Sequence, residues 1–129
     1  MELKIFIVDD ALPIVDRLTN LLSGIKNIKI VGIATNATKA FDYIIKSNPD
    51  VVILDIHMPD GSGIEILRQV KNSKPSTVVI MLTNYTETVY QTVCKIEGAD
   101  YFLDKSIEFD KVPEICKFLS EKLKKEESN

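Results

Sequence analysis

The stretch VVILDIHMPDGSG, residues 51–63, decides how the chain is read. Four apolar residues run straight into a carboxylate, Asp55, and a turn built on Pro59, Gly61 and Gly63 follows. A short apolar run without polar alternation, bounded by turn residues, is a strand buried on both faces. A carboxylate at the end of such a strand is costly to desolvate unless something pairs with it. The question the stretch poses is what Asp55 serves.

Working outward, the same kind of run recurs at residues 3–8, 28–33, 77–82 and 100–103. Helical spacing fills the gaps. Val15, Leu18, Leu22 and Ile25 mark a helix over residues 12–25. Asn36 is placed to cap a helix carrying Ala40, Phe41, Ile44 and Ile45, and SNPD at 47–50 is a turn. Ser62 with Glu65 predicts a capping box for a helix to about Lys71, which NSKPS then breaks. Asn84 with Glu87 predicts another, for a helix to Glu97 that Gly98 ends as a C′ glycine. The last helix starts near Asp110, carries Pro113 in its first turn, buries Val112, Cys116, Leu119 and Leu123, and fades into KKEESN.

Five strand–helix repeats with doubly buried strands predict an α/β protein. Right-handed crossovers give a doubly wound, three-layer α/β/α sandwich on a five-stranded parallel sheet. The expected strand order is 2-1-3-4-5, as in flavodoxin-like and CheY-like folds. With 129 residues, 45% apolar and 27% charged, the chain suits one soluble globular domain over residues 1–122 and a charged tail over 123–129. A net charge of −3 gives no electrostatic footprint for nucleic acid. No apolar run approaches the roughly 20 residues that span a bilayer, and MELKIFIVDD reads as a strand rather than a signal peptide. The expected location is the cytoplasm, with Cys94 and Cys116 as buried thiols.

Such a sheet binds ligands beyond the carboxyl ends of its strands. Those ends carry Asp9 and Asp10 after the first strand, Asp55 after the third, Thr83 after the fourth and Lys105 after the fifth. In the order 2-1-3-4-5 the three aspartates cluster, and their mutual repulsion is relieved by a cation. Mg²⁺ fits, because it takes one or two carboxylates and keeps several waters. With Lys105 and a hydroxyl from Thr83, the edge suits an anion of several acceptor oxygens, a phosphoryl group above all.

The chain resembles the response-regulator receiver family of bacterial two-component signalling over roughly residues 3–122. The resemblance rests on IVDD, ILDIHMPDGSG, MLTN and GADYFLDKS, each at the end of its own strand. It implies that Asp55 is the phosphoacceptor, charged by a sensor histidine kinase or a phosphotransfer protein. It implies that Asp10, Asp55 and the backbone carbonyl of His57 hold Mg²⁺, with Asp9 acting mainly through water. It implies that Thr83 and Lys105 bind phosphoryl oxygens, and that the surface of the fourth helix, fifth strand and fifth helix switches for a downstream effector protein. The domain is then a phosphoacceptor that takes part in its own phosphorylation and dephosphorylation, not an enzyme. It makes no direct contact with nucleic acid or membrane, and is a monomer or a phosphorylation-dependent dimer.

Two departures stand out. The family's lysine is mostly followed by proline, often through a cis bond; here Ser106 follows Lys105. This implies a loop that holds the lysine differently, or a cis bond without proline. The switch aromatic, frequently tyrosine, is Phe102, which lacks the hydroxyl. Tyr85, two residues past Thr83, is expected to join His57 in shielding an aspartyl phosphate from water. Alternatives are a receiver fold kept only as an interaction module, the receiver part of a longer DNA-binding regulator, an aspartate-nucleophile phosphohydrolase and a flavodoxin-like electron carrier. The hydrolase resemblance needs an acid where His57 stands, and DDALP after the first strand would repel a flavin phosphate.

Overall fold

The computed structural model describes residues 1–127. Its elements alternate in chain order: β1 (Leu3–Val8), α1 (Leu12–Ser23), β2 (Ile28–Ala34), α2 (Ala40–Ser47), β3 (Val51–Leu54), α3 (Gly63–Ser73), β4 (Val78–Thr83), α4 (Thr88–Ile96), β5 (Tyr101–Asp104) and α5 (Lys111–Glu127). One five-stranded sheet has the order β2-β1-β3-β4-β5 with every pairing parallel, as the sequence predicts.

Successive strand residues point to opposite faces, and the two hydrophobic clusters follow that parity. Ile5, Ile7 and Ile53 face α1 and α5, where Leu18, Leu22, Val112 and Cys116 are buried. Phe6, Val8, Val52 and Leu54 face α2, α3 and α4, where Ile44, Leu67, Val70 and Cys94 are buried. Each fully buried aliphatic side chain contributes about 1.5–3 kcal/mol. β3 lies in the middle of the sheet and all four of its residues are buried, which is why its run shows no polar alternation. Burial pushes the Cys94 thiol up to about 11 and the Cys116 thiol to about 12, so both stay protonated packing groups.

Helix ends differ from the sequence reading. Asn36 caps nothing: α2 begins at Ala40, and the N–H groups of Ala37 and Thr38 donate to the Asp60 carboxylate instead, at 2.7 and 2.8 Å. The Asn84–Glu87 box does not form; Glu87 is the N-cap residue of α4 and its side chain makes no cap bond. Ser62 caps α3, but the reciprocal Ser62–Glu65 box does not form. Ser62 Oγ accepts from the Ile64 N–H at 3.1 Å, while Glu65 pairs with Arg68. Gly98 ends α4 as expected, at φ +98°, with the Ala99 N–H closing on the Cys94 carbonyl at 2.9 Å. α5 continues through Glu127, past the expected fading point, and Leu123 packs against the core. Ser128 and Asn129 of the expected tail lie outside the described residues. Among the described residues no helix is long and apolar enough to cross a membrane.

Candidate functional site

Sheet register builds the site. Val8 and Leu54 are partners across β1 and β3, so Asp9 and Asp55 leave the sheet side by side. The Asp9 N–H donates to the Ala34 carbonyl and the Asp55 N–H to the Val8 carbonyl, each at 3.1 Å, so the parallel ladder carries on one step into the site. β4 and β5 end level, with Thr83 opposite Asp104, and the Lys105 N–H donates to the Thr83 carbonyl at 2.9 Å. Short parallel strands thus bring five remote segments to one edge.

Asp9, Asp10 and Asp55 each offer a carboxylate oxygen, and these oxygens lie within 4.8 Å of one another. Asp9 and Asp55 are buried and Asp10 is exposed. The buried Lys105 ammonium stands between the first two, with Nζ 2.8 Å from Asp9 Oδ2 and 2.9 Å from Asp55 Oδ2. The remaining oxygens are used as well. Asp9 Oδ1 accepts from the Ala11 N–H at 2.9 Å and Asp55 Oδ1 from the Ile56 N–H at 2.7 Å. Burial raises the Asp9 carboxyl above the ordinary range, although the Lys105 ammonium pulls it down. For Lys105, burial works against the charge, but hydrogen bonds to Asp9 and Asp55 outweigh it and raise the ammonium above its usual value. Two negative charges and one positive charge held this closely with little water leave a net attraction for a second cation. The donor set is all oxygen and two of the acids are buried, which fits a hard ion such as Mg²⁺.

Thr83 is fully buried, and its Oγ1 accepts from the Tyr85 N–H at 3.1 Å. Accepting there leaves the hydroxyl proton free to donate. His57 sits in a short antiparallel hairpin, His57–Met58 against Gly61–Ser62, that the sequence did not announce. Its ring packs on Tyr85, centroids 4.0 Å apart, and its Nε2 lies 3.3 Å from the Tyr90 hydroxyl. Tyr85 and Tyr90 meet edge to face at 5.9 Å. Tyr90 was not foreseen; its only signal was its place in the first turn of α4, five residues after Tyr85.

Phe102 is half-buried and packs against the α2–α3–α4 side of the core. It helps line a groove of about 400 Å³ whose other wall includes Thr88, Gln91 and Lys95 of α4. Among the described residues no peptide bond is cis, so Ser106 follows Lys105 through a trans bond. In the loop after Lys105, Asp104 Oδ1 accepts from both the N–H and the Oγ of Ser106, at 2.8 and 2.6 Å.

With this geometry in view, comparison with known proteins is direct. The family model for the response regulator receiver domain matches residues 5–117. The DNA-binding transcriptional activator DevR/DosR of Mycobacterium tuberculosis is 32% identical over 104 residues, which are 81% of this chain and 48% of that protein. The match covers between 26% and 50% of the length of this and other curated relatives. The response regulator domain of Thermotoga maritima CheB is similar at a TM-score of 0.81 and 27% identity, covering 95% of this chain and 96% of that one. A CheY-like receiver domain protein from Methanospirillum hungatei JF-1 gives a TM-score of 0.84 at 25% identity, over 98% and 99% of the two chains.

Proposed function

The chain belongs to the response regulator receiver domain family of two-component systems, and on that premise we propose that it is a phosphoacceptor with Asp55 as the acceptor. The observation that carries this reading is the Lys105 ammonium, buried and 2.9 Å from Asp55 Oδ2 within the cluster of three acids.

An Asp55 carboxylate oxygen attacks the phosphorus of a phosphohistidine on a sensor histidine kinase or phosphotransfer protein. The P–N bond breaks, the imidazole leaves with the electron pair, and an acyl phosphate forms. Lys105 neutralises charge on one phosphoryl oxygen, and the Thr83 hydroxyl, whose proton is free, donates to another. Asp10, Asp55 and the backbone carbonyl of His57 would hold Mg²⁺, with Asp9 acting through water. When bound, the ion would supply Lewis-acid stabilisation of charge on the transferring phosphoryl group. A carboxylate nucleophile has no proton to lose in the attack, so this step needs no added base.

Transfer places a phosphoryl dianion where Lys105 met a carboxylate. Thr83 and Lys105 turn toward it and carry the ends of β4 and β5, which biases the surface of α4, β5 and α5 toward an output state. Phe102, beside the groove under α4, moves with β5 but offers no hydroxyl. The receiver spans residues 1–122, works in the cytoplasm, and passes its signal to an effector as a monomer or a phosphorylation-dependent dimer. The matched 104 residues are 48% of DevR/DosR, which is named for DNA binding, and this supports a second reading, a receiver portion of a longer regulator.

Incubation with Mg²⁺ and acetyl phosphate followed by intact mass measurement is the test. One added phosphoryl group, absent without Mg²⁺ and in Asp55→Asn, is expected. Continuous phosphate release would mark a hydrolase, and no addition an interaction module.

A further inference from the structure

Lys105 has to place a charged nitrogen at one point from the end of a flexible four-carbon stem. Its backbone is pinned at every step. The residue before it, Asp104, is paired with Thr83 across the sheet, and its N–H donates to Glu108 Oε1 at 3.0 Å. The Lys105 N–H is taken by the Thr83 carbonyl. The residue after it, Ser106, gives both its N–H and its hydroxyl to Asp104 Oδ1. The Glu108 N–H then returns to the Asp104 carbonyl at 2.8 Å.

A proline at 106 could make neither Ser106 bond, having no N–H and no hydroxyl. The serine therefore brings a different lock. It gives two bonds to one ionised carboxylate, where charge-assisted hydrogen bonds are strongest. These bonds to Ser106 also hold the Asp104 carboxyl below the usual range. Asp104 and Ser106 touch neither of the acids that Lys105 meets; they act on the site only through the direction of the lysine stem.

We propose that Asp104 and Ser106 are positioning residues for Lys105: the Asp104–Ser106 clamp aims its ammonium at the Asp55 phosphoryl site. This rests on the phosphoacceptor reading above. A clamp that only stabilised the loop would change melting temperature and leave the reaction alone. A positioning clamp changes the maximal rate of phosphorylation at saturating acetyl phosphate and Mg²⁺, because a reacting group displaced by about 1 Å costs up to roughly a hundredfold.

The experiment measures the rate of aspartyl phosphate formation against acetyl phosphate concentration for wild type, Ser106→Ala, Ser106→Thr and Asp104→Ala. Expected is a drop of about tenfold in maximal rate for Ser106→Ala, with unchanged half-saturation for Mg²⁺, an unchanged melting temperature, and recovery in Ser106→Thr, which restores the hydroxyl. Ser106 is exposed, so its alanine variant folds even if Asp104→Ala does not. Wild-type rates in Ser106→Ala overturn the clamp and leave the phosphoacceptor reading standing. Equal losses in Ser106→Ala and Ser106→Thr overturn it too. A wild type that takes up no phosphoryl group overturns both.

Discussion

Gly63 approaches the backbone carbonyl of Asp55 so closely that a Cβ on it would lie 1.8 Å from the Asp55 oxygen. The Gly63 N–H donates to the Ile56 carbonyl at 2.6 Å, so the first residue of α3 is clasped to the loop that leaves β3. The Asp55 backbone and the start of α3 are therefore held against each other.

Gly63→Ala sets two effects against each other. Alanine favours a helix over glycine by about 1 kcal/mol. The clash is with backbone, which cannot rotate away, and forced overpacking costs about 1–3 kcal/mol or more. The clash wins. Thermal unfolding of Gly63→Ala is expected several degrees lower, and acetyl phosphate labelling of Asp55 slower, because relief of the contact moves the Asp55 carbonyl. A variant as stable and as reactive as wild type would show that the loop yields freely.

Asp9 gives a pH signature. Burial raises its carboxyl, so across the range between its unfolded and folded values the folded state binds more protons than the unfolded one. Stability from this group is then present below about pH 3.8 and is lost as pH rises through its raised folded value. Asp9→Asn removes the penalty. In EDTA, the melting temperature of Asp9→Asn is expected to exceed that of wild type by a margin that grows as pH rises from about 3.8 through the raised folded value. Added Mg²⁺ should close the margin by stabilising wild type more. A constant difference across that range would refute the burial account.

The sheet and the acid cluster were legible in the sequence for one physical reason. Doubly buried strands read as unbroken runs, and in a parallel sheet the residues after those runs share an edge. Asp9, Asp10, Asp55, Thr83 and Lys105 needed nothing more than the strand order. Helix starts were not legible, because a cap depends on which N–H groups are already satisfied. Asn36 lost to Asp60, which arrives from 22 residues away at Thr38. The contact between His57 and Tyr90 spans 33 residues, and no local pattern encodes it. The clamp on Ser106 was visible only as a missing proline; its partner Asp104 lies two residues back, an ordinary Asx-turn spacing.

Asp60 ties the loop before α2 to the loop after β3. Its carboxylate accepts from the N–H groups of Ala37 and Thr38 and from the Thr38 hydroxyl. These bonds hold the Asp60 carboxyl below its ordinary value, the Ala37 N–H contributing most. The stability they give is present above about pH 3.8 and is lost as pH falls through the lowered folded value. Asp60→Ala is expected to lower the melting temperature at neutral pH and to raise amide exchange at Ala37 and Thr38, with Asp60→Asn intermediate. Exchange unchanged at both amides would show that solvent satisfies them as well.

The Tyr85 ring packs on His57, centroids 4.0 Å apart, and the Tyr90 hydroxyl lies 3.3 Å from His57 Nε2; the shielding expected of Tyr85 and His57 rests on this cluster. An aspartyl phosphate is lost when water attacks phosphorus in line, so a ring that occupies that approach lengthens its life. Tyr85 is 41% exposed, which leaves one side of its ring to solvent and the other to His57. Tyr85→Ala should therefore shorten the lifetime of the phosphorylated protein severalfold at constant Mg²⁺. Tyr90→Phe keeps the edge-to-face packing and loses only the 3.3 Å contact to His57 Nε2, so its lifetime should fall between the two. Dephosphorylation followed by intact mass after removal of acetyl phosphate separates these cases. Equal decay in wild type and Tyr85→Ala would mean that water reaches the phosphoryl group by a path the aromatic cluster does not cover.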